Sequence, residues 1–279
     1  MALTINTNVN ALNIQRNLTL TNSKVSDSLK RLSSGLRINS AKDDASGLAT
    51  ANAFKAKISS MKVASQNASE AQSMLQTADG AYSKIHDILI RMKDLATQAA
   101  SGQTENLATI DSEFQALQSE IDRIAGSTTY GSTTLVSGGT ISTSGVTFQV
   151  GATNAGNNQL NLKFDAALTS NLGVSRTTNS VGVGSTASAA SAMTAIDAAL
   201  TSINASMGKV GAYQNRLQYT IENLAISIEN FSASESAIRD VDMAAEVTNF
   251  TKNQILQQTG IAMLAQANMA PQQVLSLIG

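Results

Sequence analysis

The sequence has no cysteine, no tryptophan, one histidine and one proline. Without cysteine there are no disulfides, no thiolate metal sites and no cysteine nucleophile. A lone histidine, His86, leaves no zinc-binding spacing such as H-E-x-x-H. It sits one residue past a helical stripe position, Ile85, where a surface role fits better than catalysis. Aromatic residues make up 4%, so any core is built from Leu, Ile, Val, Met and Ala, which suits interlocking helices. Charged residues are only 14% and the net charge is −1, against a usual charged share of about a quarter. No broad basic surface exists for nucleic acid. No apolar run reaches the roughly 18 residues of a membrane span. The N-terminus has no basic region followed by an apolar block, so no cleavable secretory signal is expected. A thiol-free chain also suits work outside the cell at high local concentration, where stray thiols would cross-link. The 279 residues suffice for one or two domains with a core.

Charge is scarcest at the two ends. Residues 1–23 carry only Arg16, and residues 253–279 carry none. Gln257, Gln258, Gln266, Asn268, Gln272 and Gln273 make membrane insertion of the second end costly. Leu256, Ile261, Met263, Leu264, Val274, Leu275 and Ile278 are too many apolar groups for a solvated tail. Helices that fold against other copies of the chain fit both facts, because amides and apolar groups bury more cheaply than charges. About 40 helical residues would span about 60 Å. Pro271 is expected to kink or end the last helix near Ala270.

What the chain has in abundance is helical periodicity. Ala71, Met74, Ala78, Ala81, Ile85, Ile88, Met92, Leu95 and Ala99 alternate three and four apart. Ile110, Phe114, Leu117, Ile121 and Ile124 repeat the pattern after Ser101-Gly102. A third stripe runs from Ile196 to Phe231, interrupted by Gln214. Val25, Leu29, Leu32 and Leu36 give a shorter one. Such stripes need partner helices. The expected fold is mainly α: long terminal helices forming a coiled coil, plus an elongated helical bundle with a small β-hairpin region. Residues 1–42 with 240–279 form one discontinuous domain and 43–239 the other. Within the latter, about 127–191 is rich in Ser, Thr and Gly. Val146 to Val150 and Leu160 to Phe164 alternate around an Asn/Gly loop and predict a hairpin. "SRTTNSVGVGSTASAAS" reads as an exposed connector before the third long helix.

Catalytic motifs do not survive inspection. "GSTTYGST" has Ser132 where a phosphate-binding loop needs Lys. "GVGSTA" lacks the third glycine and a preceding strand. Asp240, Asp242 and Glu246 could hold a divalent cation weakly, but a salt-bridged helix face is the plainer reading. Asp43-Asp44 before Gly47 is explained by helix N-capping. No enzyme activity, cofactor or metal is expected.

Three blocks then carry a resemblance: "INTNVNALNIQRNL", "LKRLSSGLRINSAKDDASGLA" and "IRDVDMAAEVTNFTKNQILQQTGIAMLAQANMAPQQVLSLIG". Together with the surrounding residues, about 1–126 and 196–279, they closely resemble bacterial flagellin, and "VTFQVGATNAGNNQL" is similar to the hairpin of that family's inner domain. The large outer domains of many members are missing, so the chain resembles a minimal flagellin. The resemblance implies a subunit that polymerises into the extracellular flagellar filament, the helical propeller of swimming. It implies unfolded export through the flagellar type III channel, an export chaperone on the C-terminal helix, and filament cap and hook-associated proteins as partners. A hook–filament junction protein, which has similar terminal helices, is the alternative. The expected polymerisation seams are Val25, Leu29, Leu32 and Leu36, with Leu256, Leu264, Val274, Leu275 and Ile278. "IRMKDLATQAA" and "DSEFQALQSEIDRIAG" resemble the surface gripped by the vertebrate flagellin-sensing Toll-like receptor. That match places Arg91, Leu95 and Glu113 at its centre.

Overall fold

A computed structural model describes residues 7–101 and 106–278, with the backbone alone for Thr140 and for 270–278. Four long helices dominate the described residues: α1 (Val9–Ser34), α2 (Ala45–Ala100), α7 (Thr186–Arg239) and α8 (Met243–Ile278). Between α2 and α7 lie α3 (Leu107–Ser127), β1 (Thr129–Tyr130), β2 (Thr133–Thr134), α4 (Thr140–Thr143), β3 (Val146–Gln149), β4 (Gln159–Leu162), α5 (Thr169–Leu172) and α6 (Arg176–Asn179). The chain forms two compact units, Met1–Ile58 with Asn230–Gly279, and Ser59–Glu229.

In the first unit α1 and α8 pair along their length. The half-buried or buried stripe of α1 is Ala11, Ile14, Leu18, Thr21, Val25, Ser28 and Leu32, with Arg31 half-buried beside it. Those of α8 are Glu246, Phe250, Asn253, Gln257, Gly260, Leu264 and Ala267. Both sets alternate three and four apart, the spacing of a coiled-coil seam. Asn8 caps α1, its side chain accepting from the Ala11 N–H at 3.0 Å, and Gly35 closes the helix in the left-handed conformation at φ 72°. Asp44 caps the start of α2 by accepting from the Gly47 N–H at 2.9 Å, as the Asp-Asp-x-x-Gly pattern predicts. Asp43 instead folds back on the connector and accepts from the Asn39 and Ser40 N–H groups.

The unit extends further along α2 and α7 than the expected limits at 42 and 240. Phe54 and Phe231 pack ring against ring with centroids 5.4 Å apart, and the Lys57 ammonium sits 5.2 Å from the Phe231 centroid. The α1–α2 and α7–α8 connectors are clasped together. Leu36 and Asp240 form an antiparallel bridge. The Arg37 N–H donates to the Arg239 carbonyl at 2.7 Å, and the Val241 N–H to the Gly35 carbonyl at 3.1 Å. The guanidinium of Arg37 donates to the Ile238 carbonyl at 2.5 Å, and that of Arg239 to the Ile38 carbonyl at 3.4 Å.

The last helix does not end at Ala270. Helix α8 continues through Pro271 to Ile278. Proline removes one hydrogen bond from a helix, and the carbonyl it strands is that of Ala267, four residues back. That carbonyl accepts from the Asn8 side-chain amide at 2.8 Å.

In the second unit α2, α3 and α7 share one core with the irregular segment between α3 and α7. Every predicted stripe residue of α2 from Ala71 to Ala99 is buried, except Ile88, which is partly so. Ile110, Phe114 and Ile121 of α3, and Ile196, Ile203, Val210 and Leu217 of α7, are buried with them. The hairpin pairs Val146 with Leu162 and Phe148 with Leu160. A second, two-residue ladder pairs Tyr130 with Thr133 around Gly131, at φ 60°. It occupies the stretch that imitates a phosphate loop.

The segment read as an exposed connector is partly core. Val181 and Val183 are buried, at 9% and 0% exposure. A polar stripe on α3 holds this segment down, at positions again four, three and four apart. Asp111 accepts from Arg176 and from the Val183 N–H. Gln115 donates to Asp111. Gln118, itself buried, donates to the Val174 and Val181 carbonyls at 2.5 and 3.1 Å. Asp122 accepts from the backbone and hydroxyl of Thr169. The backbone of an otherwise turn-rich stretch is thereby satisfied where it enters the core.

Candidate assembly surface

The α1–α8 seam is thin and polar for its length. Thr21, Ser28, Asn253, Gln257 and Gly260 take positions that a stable two-helix coil fills with Leu or Ile. A side-chain carbon added at Gly260 would lie 3.3 Å from Leu18 Cδ1, so the Leu18 side chain packs over the glycine. At the far end of the pair, Arg31 lies 3.7 Å from Glu246. Asp240 accepts from Ser236, and Asp242 caps α8 through the Ala244 and Ala245 N–H groups. The three carboxylates considered for a cation thus have separate structural tasks.

Outside the seam the two helices expose large apolar side chains. On α1 these are Val9, Leu12, Leu20 and Leu29; on α8 they include Ile255, Leu256, Ile261, Met263 and Met269. At 100° per residue, Leu256 and Met263 lie on one side of α8, Ile255 and Met269 on another, and Ile261 on a third. A helix that is apolar all round is a helix buried all round, and α1 covers a single stripe of it. No helix among the described residues is long and apolar enough to cross a membrane.

The predicted seam residues divide accordingly. Val25, Leu32 and Leu264 are half-buried in the α1–α8 contact and Leu36 in the connector. Leu29 and Leu256 are 56% and 50% exposed. Leu29 is off the pairing stripe because Ser28, one residue earlier, takes the seam position. Val274, Leu275 and Ile278 lie outside the residues whose side chains are described. Sequence reasoning missed Asn8, whose bond to Ala267 could have been sought from the carbonyl that Pro271 strands.

The second unit carries the other predicted patch. Arg91 donates through Nε and Nη2 to one oxygen of Glu113, at 3.0 and 2.7 Å, and both side chains are exposed. Leu95 does not join them. It is 2% exposed and belongs to the core, because the stripe that includes Met92 and Ala99 faces inward. The apolar side chain exposed beside Arg91 is Ile90.

These arrangements define a helical structural protein whose terminal helix pair leaves many large apolar side chains exposed. Comparison with known proteins agrees. Residues 5–141 match the bacterial flagellin N-terminal helical region and residues 193–278 the bacterial flagellin C-terminal helical region. The chain is 40% identical over 278 residues to a flagellin of Halalkalibacterium halodurans, covering 98% of this chain and 99% of that one. It is 36% identical over 303 residues to a flagellin of Bacillus subtilis, with 98% and 99% covered. The crystal structure of Bacillus cereus flagellin aligns with a TM-score of 0.49 at 32% identity, over 57% of this chain and 88% of that one.

The chain belongs to the bacterial flagellin family. It is a structural subunit of the bacterial flagellar filament.

Proposed function

We propose that filament assembly proceeds by coupled folding of the two ends. The observation that carries this reading is α8 itself: uncharged from Asn253 onward and apolar on every side, with only α1 against it. In a lone chain the polar seam contributes little against the ordering cost of the paired helices, about 1–2 kcal/mol per residue. In a lattice the exposed leucines, isoleucines and methionines are buried at about 25 cal/mol per Å². A contact that joins unlike faces and never closes produces a helical polymer. The same surface is what an export chaperone would cover before secretion, and a thread-like chain without disulfides suits the type III channel. The cap and hook-associated proteins would meet the growing end by the same helices, and the finished filament stands outside the cell. Negative-stain microscopy of the concentrated, seeded protein tests the reading. Long uniform tubes are expected; a chain that stays a lone particle under every seeding condition overturns it.

A second reading rests on the exposed Arg91–Glu113 pair. Its planar fork and carboxylate offer a vertebrate Toll-like receptor a polar hot spot on free subunits. Receptor-reporter signalling that is undiminished by Arg91→Ala with Glu113→Ala removes it.

A further inference from the structure

We infer that Asn8 is a positioning residue for assembly: it sets the register of α8 on α1 by supplying the hydrogen bond that Pro271 removes. The two halves of its side chain act on different helices. The Oδ1 atom accepts from the Ala11 N–H at 3.0 Å and caps α1. The Nδ2 group donates to the Ala267 carbonyl of α8 at 2.8 Å. Within α8 that carbonyl would ordinarily accept from the N–H four residues on. The residue there is Pro271, which has none. Helix α8 nevertheless runs on to Ile278. A carbonyl left unmet in a part-buried contact is costly, so the pairing is favoured in the one register that brings Asn8 to it.

The seam between the helices needs such a device. Thr21, Ser28, Asn253 and Gln257 present small or polar surfaces, which specify register less sharply than interlocking Leu or Ile. The Arg31–Glu246 pair, 3.7 Å apart, marks the opposite end of the seam and leaves the Ala267 end to Asn8. The proline and the asparagine together act as a lock and key of one hydrogen bond. The chain can therefore carry a helix-breaking residue near its end without losing the helix.

The test is a double-mutant cycle in the full-length chain, and its assembly arm rests on the filament reading. Asn8→Asp keeps the cap, because a carboxylate also accepts from Ala11, but it has no proton to give Ala267. Asn8→Ser keeps a capping oxygen and loses the reach. Pro271→Ala restores an N–H to α8 and makes the outside donor unnecessary. With native Pro271, Asn8→Asp should raise the critical concentration for seeded polymerisation about five-fold or more. In the Pro271→Ala background it should raise it less than about two-fold. Asn8→Ser should behave likewise. Equal effects in both backgrounds, or no effect in either, overturn the inference. Should the native chain fail to polymerise, the filament reading falls, and the latch is judged on amide hydrogen exchange of residues 261–275 in the soluble protein. Faster exchange in Asn8→Asp that Pro271→Ala abolishes supports it; the same exchange change in both backgrounds overturns it.

Discussion

Asp111 of α3 and Arg176 of α6 meet at 2.5 Å, tying a turn-rich segment to a long helix. Burial pushes the Asp111 carboxyl up, but hydrogen bonds from Arg176, the Val183 N–H and Gln115 outweigh it and leave the group below its ordinary value. Asp165 is likewise raised by burial and lowered further by bonds from Lys209 and Ser206. A depressed carboxyl means that the unfolded chain takes up protons first as acid is added. The stabilisation is therefore whole above about pH 4 and is lost as the pH falls through the folded-state values. Urea unfolding of the soluble chain between pH 7 and pH 3 should show stability falling with acid. Asp111→Asn with Asp165→Asn should lower neutral-pH stability and flatten that slope. A double variant with an unchanged slope would show that other groups carry the acid sensitivity.

Glycine-to-alanine changes should take opposite signs at two kinds of position. A carbon added at Gly47 would lie 2.3 Å from Asp44 Oδ2 and 2.8 Å from Ile38 Cδ1. Gly47→Ala must then displace the α2 cap, costing about 1 kcal/mol or more. At Gly80 and Gly208, inside α2 and α7, nothing lies within 4 Å. Alanine there should stabilise by about 0.8–1 kcal/mol each through helix propensity alone. Thermal melts of the three variants check the order.

The Phe54–Phe231 contact should couple α2 to α7. A cycle of Phe54→Leu and Phe231→Leu should give a coupling of about 0.5–1.5 kcal/mol. Additive effects would show that the rings merely share a surface.

Circular dichroism of monomer and polymer should differ in helix content per residue, the polymer being higher. Removal of residues 272–279 should raise the critical concentration for polymerisation while leaving the melting of the second unit in place. Equal helicity in the two states would mean that α1 and α8 are already formed in the free subunit.

The helices were readable in the sequence because their signal is local. A stripe such as Ile85, Met92 and Leu95 needs only its own spacing to declare a buried face. The hairpin of Val146 and Leu162 was readable for the same reason, with period two in place of period three to four. The 175–185 segment was not. Its valines are short, separated by Gly182, and their backbone is held to the core by Asp111 and Gln118, which lie more than fifty residues earlier and look like ordinary polar helix surface. On α1 it is Ser28, not the neighbouring Leu29, that faces the partner helix, although a leucine is the stronger hint of burial. Arg91 and Glu113 meet as an ion pair that the sequence did not announce, while Leu95, placed with them, lies in the core stripe. At Pro271 the general rule for proline failed because the missing bond comes from another helix.

One property of α8 reaches beyond the single molecule. From Asn253 onward its sequence offers only apolar, amide and hydroxyl side chains and glycine, with no charged side chain among them. Dissolved salt weakens attraction between exposed charges by screening, and such groups offer it nothing to screen. A swimming cell that passes from rainwater to brine would find the cohesion of such groups little altered.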